Sequence, residues 1–396
     1  MENSENDSLY LKEVFLSGYK SINNVNIEFQ RGLNIIIGKN AAGKTNFLSF
    51  LNNCLTLEFQ DLNNFSSLLS FENGKNITIE TNNNIVIRDL LKNSNLNSKV
   101  DSTLRISGKE VKGKNTFIRD KLVERNIFFD SSILCHGIPD NYLFISIPVN
   151  LKFEKQNTSN DLIKIFRDVE KPFFLRCFAF DLFFSMAGID DIIDKNIESV
   201  LNKCFRRFSK LSEILATYTP IQDFRLSENF NIFINNYKFN INNLFIEFKV
   251  DGQWLPFSNL SDGTKRLFYI ISEIFDDYLT SDFMLISNGS LARANEVSRI
   301  ILLEEPELGI HPHQFLKLME FLKEESEKKQ ILITTHSPQA LDALDKNELN
   351  RIIVAYSTTD EGTKLRHLDE NELIKANEYI KEDFLSDYWL YSDLEK

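Results

Sequence analysis

Three short segments of the 396-residue sequence place reactive side chains where apolar runs end. The first is Gly38-Lys39-Asn40-Ala41-Ala42-Gly43-Lys44-Thr45, two glycines with four residues between them and a Lys-Thr pair directly after the second. Set between a strand and a helix, such a loop holds phosphates on its backbone N–H groups and on the positive end of the helix. This reading assigns Lys44 to the β and γ oxygens of a nucleotide, the Thr45 hydroxyl to Mg²⁺, and Gly38 through Asn46 to the wall around the phosphates. The second segment, Ile300-Ile301-Leu302-Leu303-Glu304-Glu305-Pro306-Glu307, ends an apolar run in adjacent carboxylates. Ligands of open α/β sheets sit at such strand ends. Glu304 is expected to face the Mg²⁺ shell, and Glu305, on the alternate side of the strand, to take a proton from an attacking water. The third segment, Ile331-Leu332-Ile333-Thr334-Thr335-His336-Ser337, offers His336 as a hydrogen-bonding partner of a γ-phosphate, against the alternative of a structural histidine. His311 and His313 lie between the last two segments without further ligands nearby in the sequence, so no metal site is expected there.

Each segment needs an element to hold it. Apolar alternation around Val14-Phe15-Leu16 and Val25-Asn26-Ile27-Glu28-Phe29, then Leu33-Asn34-Ile35-Ile36-Ile37, predicts strands leading into Gly38, and Phe47, Leu48 and Leu51 recur at helical intervals after it. Residues 70–118 alternate between Asn and Gly punctuation, which predicts an antiparallel β-layer. A Phe-rich, longer-period stretch from about 160 to 215 predicts helices. A strand pair follows over Phe230 to Val250, with Asn235-Asn236 at its turn, and then a helix from Thr264 to about Ile274. The runs at Ile300 and Ile331 read as buried parallel strands separated by a helix near His313 to Lys328. The fold class predicted is α/β, a P-loop NTPase with a mixed sheet, an antiparallel β-layer and a helical insertion. Its expected divisions are 1–150, the helical insertion 151–225, 226–356, and a C-terminal tail 357–396 suited to partner docking.

Composition removes other classes. Against 45 Lys and Arg stand 57 Asp and Glu, a net charge of −12, which disfavours a protein built mainly to coat nucleic acid. A local basic excess over residues 99–125 (Lys99, Arg105, Lys109, Lys112, Lys114, Arg119, Lys121, Arg125) leaves a nucleic-acid contact or a solvated mixed-charge face open. No 18-residue stretch is without charge, so no membrane span is expected, and the acidic start Met1-Glu2-Asn3-Ser4-Glu5 predicts a cytoplasmic protein. Cys54, Cys135, Cys177 and Cys204 are scattered and read as buried thiols. Phe173, Phe174, Phe178, Phe180, Phe183 and Phe184 read as core more readily than as a partner surface.

The phosphate loop, Leu260-Ser261-Asp262-Gly263-Thr264, Leu303-Glu304-Glu305-Pro306-Glu307 and Thr334-Thr335-His336-Ser337, in that order, resemble the ABC-type ATPases of the RecF, SMC and OLD group. Ser17-Gly18-Tyr19-Lys20-Ser21-Ile22 resembles the opening motif of that group. The resemblance implies a slow ATPase with ATP and Mg²⁺ as ligands and Glu305, His336 and Lys44 as catalytic residues. It also implies a homo-oligomer, at least a dimer, in which Ser261 and Gly263 of one subunit close on the γ-phosphate held by Lys44 of another. Glu304 stands where Asp is commoner, Asp262 where transporter signatures have Gly, and Thr264 where Gln is usual. The position of the Q-loop glutamine stays open between Gln60 and Gln156. The form Glu-Glu-Pro-Glu resembles the stand-alone OLD-like subunits of anti-phage systems of the PARIS, Septu and abortive-infection type. That likeness implies a sensor or regulator of a separate effector, such as a nuclease or toxin, that answers a phage trigger. The alternative is a RecF-like repair ATPase that binds DNA directly.

Overall fold

The computed structural model describes residues 10–56, 65–72, 208–227, 238–275, 298–382 and 384–392, together with shorter strand and helix segments between them. They fall into two compact units. One comprises residues 1–135, 281–308 and 322–396, and the other residues 136–280 and 309–321. The bounds predicted at 150, 225 and 356 do not coincide with these.

The first unit is organised by one sheet, in which thirteen strands pair among the described residues. Its middle is an all-buried strand, Leu33–Ile37, called here the loop strand. On one side it pairs in parallel with the histidine strand Gln330–Thr335 (Ile35 opposite Ile333), which pairs in parallel with the glutamate strand Ser298–Glu304. Continuous burial of β-branched residues on both faces suits central parallel strands, as the apolar runs predict. The one polar residue of the loop strand, Asn34, is fully buried yet satisfied. Its Oδ1 accepts from the Gln30 N–H at 2.9 Å, and its Nδ2 donates to Gln30 O at 2.8 Å.

On its other side the loop strand meets a hairpin formed by Ile352–Thr358 and Gly362–His367, the closing hairpin. The second strand of this hairpin in turn meets the opening hairpin, Leu11–Tyr19 with Ile22–Glu28. Strands Phe65–Phe71, Asn76–Thr81, Ser102–Ile106 and Lys109–Val111 continue outward, antiparallel throughout, as the alternation over 70–118 predicts. Residues 357–396, expected as a tail, therefore supply a strand to the middle of the sheet. They continue as helices Glu370–Glu382 and Leu385–Tyr391, where Leu385, Tyr388 and Trp389 are buried. The Ser386 N–H donates to Asp342 at 2.8 Å, tying the last helix to the 3-10 helix Pro338–Ala343, and burial raises the Asp342 carboxyl above its ordinary range.

The helix after the loop strand, Lys44–Thr56, buries Phe47, Phe50, Leu51, Cys54 and Leu55 against the sheet. Phe50 stands 5.4 Å from the Tyr19 ring and 6.0 Å from Phe65, so the opening hairpin and the outer strands share one aromatic contact with this helix. Burial also pushes the Cys54 thiol well above its ordinary pKa, in keeping with the inert buried thiol expected there. Cys204 is likewise buried, while Cys135 and Cys177 lie outside the described residues.

Among the described residues the second unit has two small antiparallel sheets, and the strand pair predicted over Phe230 to Val250 is divided between them. Asn231–Asn235 turns back on Lys238–Leu244, whereas Ile246–Val250 pairs with Asp223–Leu226 and Gln253–Pro256. The turn between Val250 and Gln253 is Asp251-Gly252, both at positive φ (49° and 77°), as a two-residue hairpin requires. Helices Ile197–Arg206 and Ser209–Tyr218 lie in the later part of the stretch predicted helical, the second running three residues past its expected end. Phe178 is buried against Phe205 and Phe208, and Phe224, Phe248, Phe257 and Phe268 continue the aromatic core. The other five phenylalanines of the Phe-rich set lie outside the described residues. Among the described residues, no helix is long and apolar enough to cross a membrane.

Candidate nucleotide site

The carboxyl ends of the loop, glutamate and histidine strands bring Gly38–Asn46, Glu304, Glu305 and His336 to one edge of the first unit. The loop is held from behind by the closing hairpin. A Cβ on Gly38 would lie 2.1 Å from Ala355 O, and one on Gly43 would lie 1.9 Å from the Thr363 hydroxyl. Gly43 also has φ +90°, open only to glycine at little cost. Both glycines are thus demanded by packing. Gly43→Ala is expected to cost about 2 kcal/mol or more, from a strained backbone and an overfilled contact together, read as a lower urea midpoint.

Lys44 is buried and folds over the loop, its ammonium donating to Gly38 O at 2.6 Å and Lys39 O at 3.0 Å. These bonds hold the charge at the centre of the loop. The Thr45 hydroxyl donates directly to Glu304, which is itself buried at the end of its strand. A hydroxyl and a carboxylate in contact are hard oxygen donors of the kind Mg²⁺ takes alongside phosphate oxygens and water, so the residues fit that ion.

Glu305 lies one residue past the strand. The strand ends at Glu304, and Glu305 adopts φ 43°, a left-handed conformation uncommon for a side chain with a Cβ, while its N–H donates to Thr334 O at 2.8 Å. It begins a turn closed by the Leu308 N–H donating to Glu305 O at 3.2 Å, with Pro306 at the second position that proline favours. Strand alternation therefore does not set the direction of Glu305; the turn does. The imidazole Nδ1 of His336 lies 3.6 Å from Glu305 Oε1 and 3.1 Å from Glu307 Oε1.

Ser261 and Gly263 lie in the second unit. Ser261 caps the helix Asp262–Ile274, its hydroxyl oxygen accepting from the Thr264 N–H at 3.2 Å and lying 2.8 Å from the Thr264 hydroxyl. This contact gives Thr264, which stands where Gln is usual, a local structural partner. A Cβ on Gly263 would come 2.9 Å from Gly309 O, so that glycine admits a close backbone approach. Gln60 and Gln156 lie outside the described residues, as do the side chains of the basic 99–125 segment. In the same segment, Ser102–Ile106 and Lys109–Val111 are strands of the large sheet.

Three residues of the site went unassigned in the sequence. Ser21 and Thr363 pair their hydroxyls at 2.7 Å, and Asn46 Nδ2 donates to the Ser21 hydroxyl at 2.8 Å, fastening the first turn of the loop helix to both hairpins. Ser21 was visible within the opening motif, whereas Thr363 carried no local signal. The third is Glu307, whose carboxylate accepts from the Thr335 hydroxyl at 2.7 Å and the His336 N–H at 3.0 Å.

A phosphate loop between parallel strands, backed by an antiparallel layer and followed by a Glu-ended strand and a His-ended strand, defines a P-loop ATPase of the ABC-like class. The chain belongs to the family described as "AAA domain, putative AbiEii toxin, Type IV TA system", whose model matches residues 33–342. Over 350 residues it is 24% identical to the Septu protein PtuA of Bacillus thuringiensis, spanning 86% of this chain and 75% of that protein. It shares its fold with the Smc head bound to the C-terminal winged-helix domain of ScpA, at TM-score 0.53 and 16% identity over 92% of this chain and 99% of the other. An Smc head with an extended coiled coil, bound to the C-terminal domain of ScpA derived from Pyrococcus furiosus, gives TM-score 0.54 at 15% identity, covering 94% and 100%.

Proposed function

We propose that this chain binds and slowly hydrolyses ATP, associates with further copies of itself by closing the Ser261 signature of one on the nucleotide of another, and regulates a separate effector in anti-phage defence. The observation that carries the ATPase reading is the direct Thr45 to Glu304 contact beside the buried Lys44 ammonium. Likeness to the Septu protein supports the defence role; the effector would be a separate chain, such as a nuclease or toxin, met in the cytoplasm.

In this mechanism the Lys44 ammonium turns from the Gly38 and Lys39 carbonyls to the β and γ oxygens, and loop N–H groups hold the remaining phosphate charge. Thr45 and Glu304 would hold Mg²⁺, which would neutralise charge developing on the phosphate oxygens. Glu305 takes the proton of the attacking water. Closure by a second subunit supplies the Ser261 helix terminus to the γ-phosphate, so turnover per subunit rises with protein concentration.

Ser261→Arg tests the assembly. It removes a helix cap, a loss of about 1 kcal/mol, and sets a long cation where the second nucleotide must dock. Below its melting temperature the variant is expected to bind ATP with unchanged affinity and to hydrolyse almost none. Wild-type turnover by this variant would refute the paired arrangement. Salt-sensitive DNA binding by the purified wild-type chain, without a co-purifying partner, would instead favour the repair reading.

A further inference from the structure

We propose that Glu307 is a positioning residue for ATP hydrolysis: it fixes the orientation and protonated edge of the His336 ring, and so decides which ring nitrogen faces the nucleotide. This inference rests on the reading of the strand ends as a nucleotide site.

Two donors and the edge of an imidazole converge on one oxygen of Glu307. The Thr335 hydroxyl lies at 2.7 Å, the His336 N–H at 3.0 Å and His336 Nδ1 at 3.1 Å. The carboxylate that bonds the backbone of His336 thus also meets its ring, which fixes the side chain relative to its own main chain. The Thr335 bond anchors the carboxylate in turn, and the same hydroxyl accepts from the Ser337 N–H at 2.9 Å. Glu307 has only 10% of its side chain exposed, against 40% for His336, so the glutamate is the fixed partner and the imidazole the presented one. Glu305, at 3.6 Å from Nδ1, is beyond hydrogen-bond reach of the ring.

At 3.1 Å an unprotonated Nδ1 would set its lone pair against the carboxylate oxygen, so the proton belongs on Nδ1. The Nε2 edge is then the one turned away from Glu307. In the neutral ring Nε2 is an acceptor, suited to the hydrogen of a water aligned for attack; in the imidazolium it is a donor, suited to a phosphate oxygen. Either role needs the ring held as Glu307 holds it. Carboxylate partners of functional histidines commonly act in this way, fixing tautomer and ring direction through the far nitrogen. The turn makes this possible. With Pro306 and the bond from Leu308 N–H to Glu305 O, residues 305–308 fold back so that two carboxylates two residues apart serve the same ring region with different tasks.

The test combines spectroscopy with kinetics on the full chain. Nitrogen-15 correlation spectra of the ring, assigned among the five histidines by the signal missing from His336→Ala, report which nitrogen carries hydrogen. A protonated Nδ1 is expected in the wild type, and an unprotonated Nδ1 overturns the proposal. Glu307→Ala is expected to lower kcat by about 10- to 100-fold with KM for ATP little changed, and to move the proton toward Nε2. Glu307→Gln keeps an acceptor oxygen in place and should recover most of that rate. In the His336→Ala background, removing Glu307 should cost nothing more, because it acts through that ring. Additive losses, or an unchanged kcat in either single Ala variant, overturn the proposal. ATP binding abolished by Lys44→Ala is the control that separates its failure from failure of the nucleotide-site reading; should Glu307→Ala not fold, the ring spectrum of the wild type and the Gln variant still decide.

Discussion

Replacing Glu305 by glutamine is expected to slow ATP turnover by about 10²- to 10⁴-fold while leaving Mg²⁺-ATP bound, because an amide of the same shape cannot take a proton from water. The backbone at this residue already adopts φ 43°, which glutamine tolerates as well as glutamate does, so the turn to Leu308 should persist. With hydrolysis blocked, whatever assembly the ATP state favours should accumulate, and light scattering with and without ATP reads it directly. Glu304→Gln should behave differently. Its amide oxygen can still accept from the Thr45 hydroxyl, but the lost charge should weaken Mg²⁺-dependent binding itself. Normal turnover in Glu305→Gln together with full Mg²⁺-ATP affinity but no turnover in Glu304→Gln would exchange the two roles.

Lys44→Ala is expected to remove ATP binding, and with it any cellular phenotype. Two charge-assisted hydrogen bonds to phosphate oxygens contribute about 3–6 kcal/mol, which corresponds to roughly 10²- to 10⁴-fold in affinity. The ammonium also caps Gly38 O and Lys39 O in the structure, so its loss leaves two loop carbonyls without that donor and loosens the cradle as well. Calorimetric titration with ATP measures the sum. Undiminished affinity would refute the phosphate-loop assignment.

The parts of this architecture written in local patterns were legible in the sequence. The run Leu33–Ile37 announced a buried strand, Gly38 to Thr45 its loop, and the capped helix after Ser261 begins two residues before the predicted start. Glu304 and His336 lie at strand ends, as apolar runs closing in polar residues suggest. What periodicity does not carry is pairing across long sequence distances. Nothing local to Gly362–His367 says that it separates the opening hairpin from the closing strand Ile352–Thr358, nor that Thr363 will fill the space beside Gly43. The backbone at Glu305 is not carried by alternation for a related reason: the strand ends at Glu304, and residue 305 already belongs to a turn closed by the Leu308 N–H. Asp251-Gly252, a strong hairpin signal, would have shown that the strand pair over Phe230 to Val250 had to be divided.

The order of strands in the large sheet also bears on how the protein is made. A ribosome delivers Leu11–Tyr19, Ile22–Glu28 and Leu33–Ile37 within the first 37 residues, yet the hairpin that stands between Ile22–Glu28 and Leu33–Ile37 is complete only at His367. Neighbours in the nascent chain are thus kept from being neighbours in the sheet, and each must wait through more than three hundred residues of synthesis with a hydrogen-bonding edge unoccupied. At about 5–20 residues per second this wait lasts on the order of tens of seconds, long enough for chaperones to engage the emerging chain. The phosphate loop is exposed to the same delay, since its two glycines gain their packing partners Ala355 and Thr363 only with that hairpin. Packing of this loop is therefore a late event in the synthesis of each chain, complete only once the strand ending at His367 has emerged.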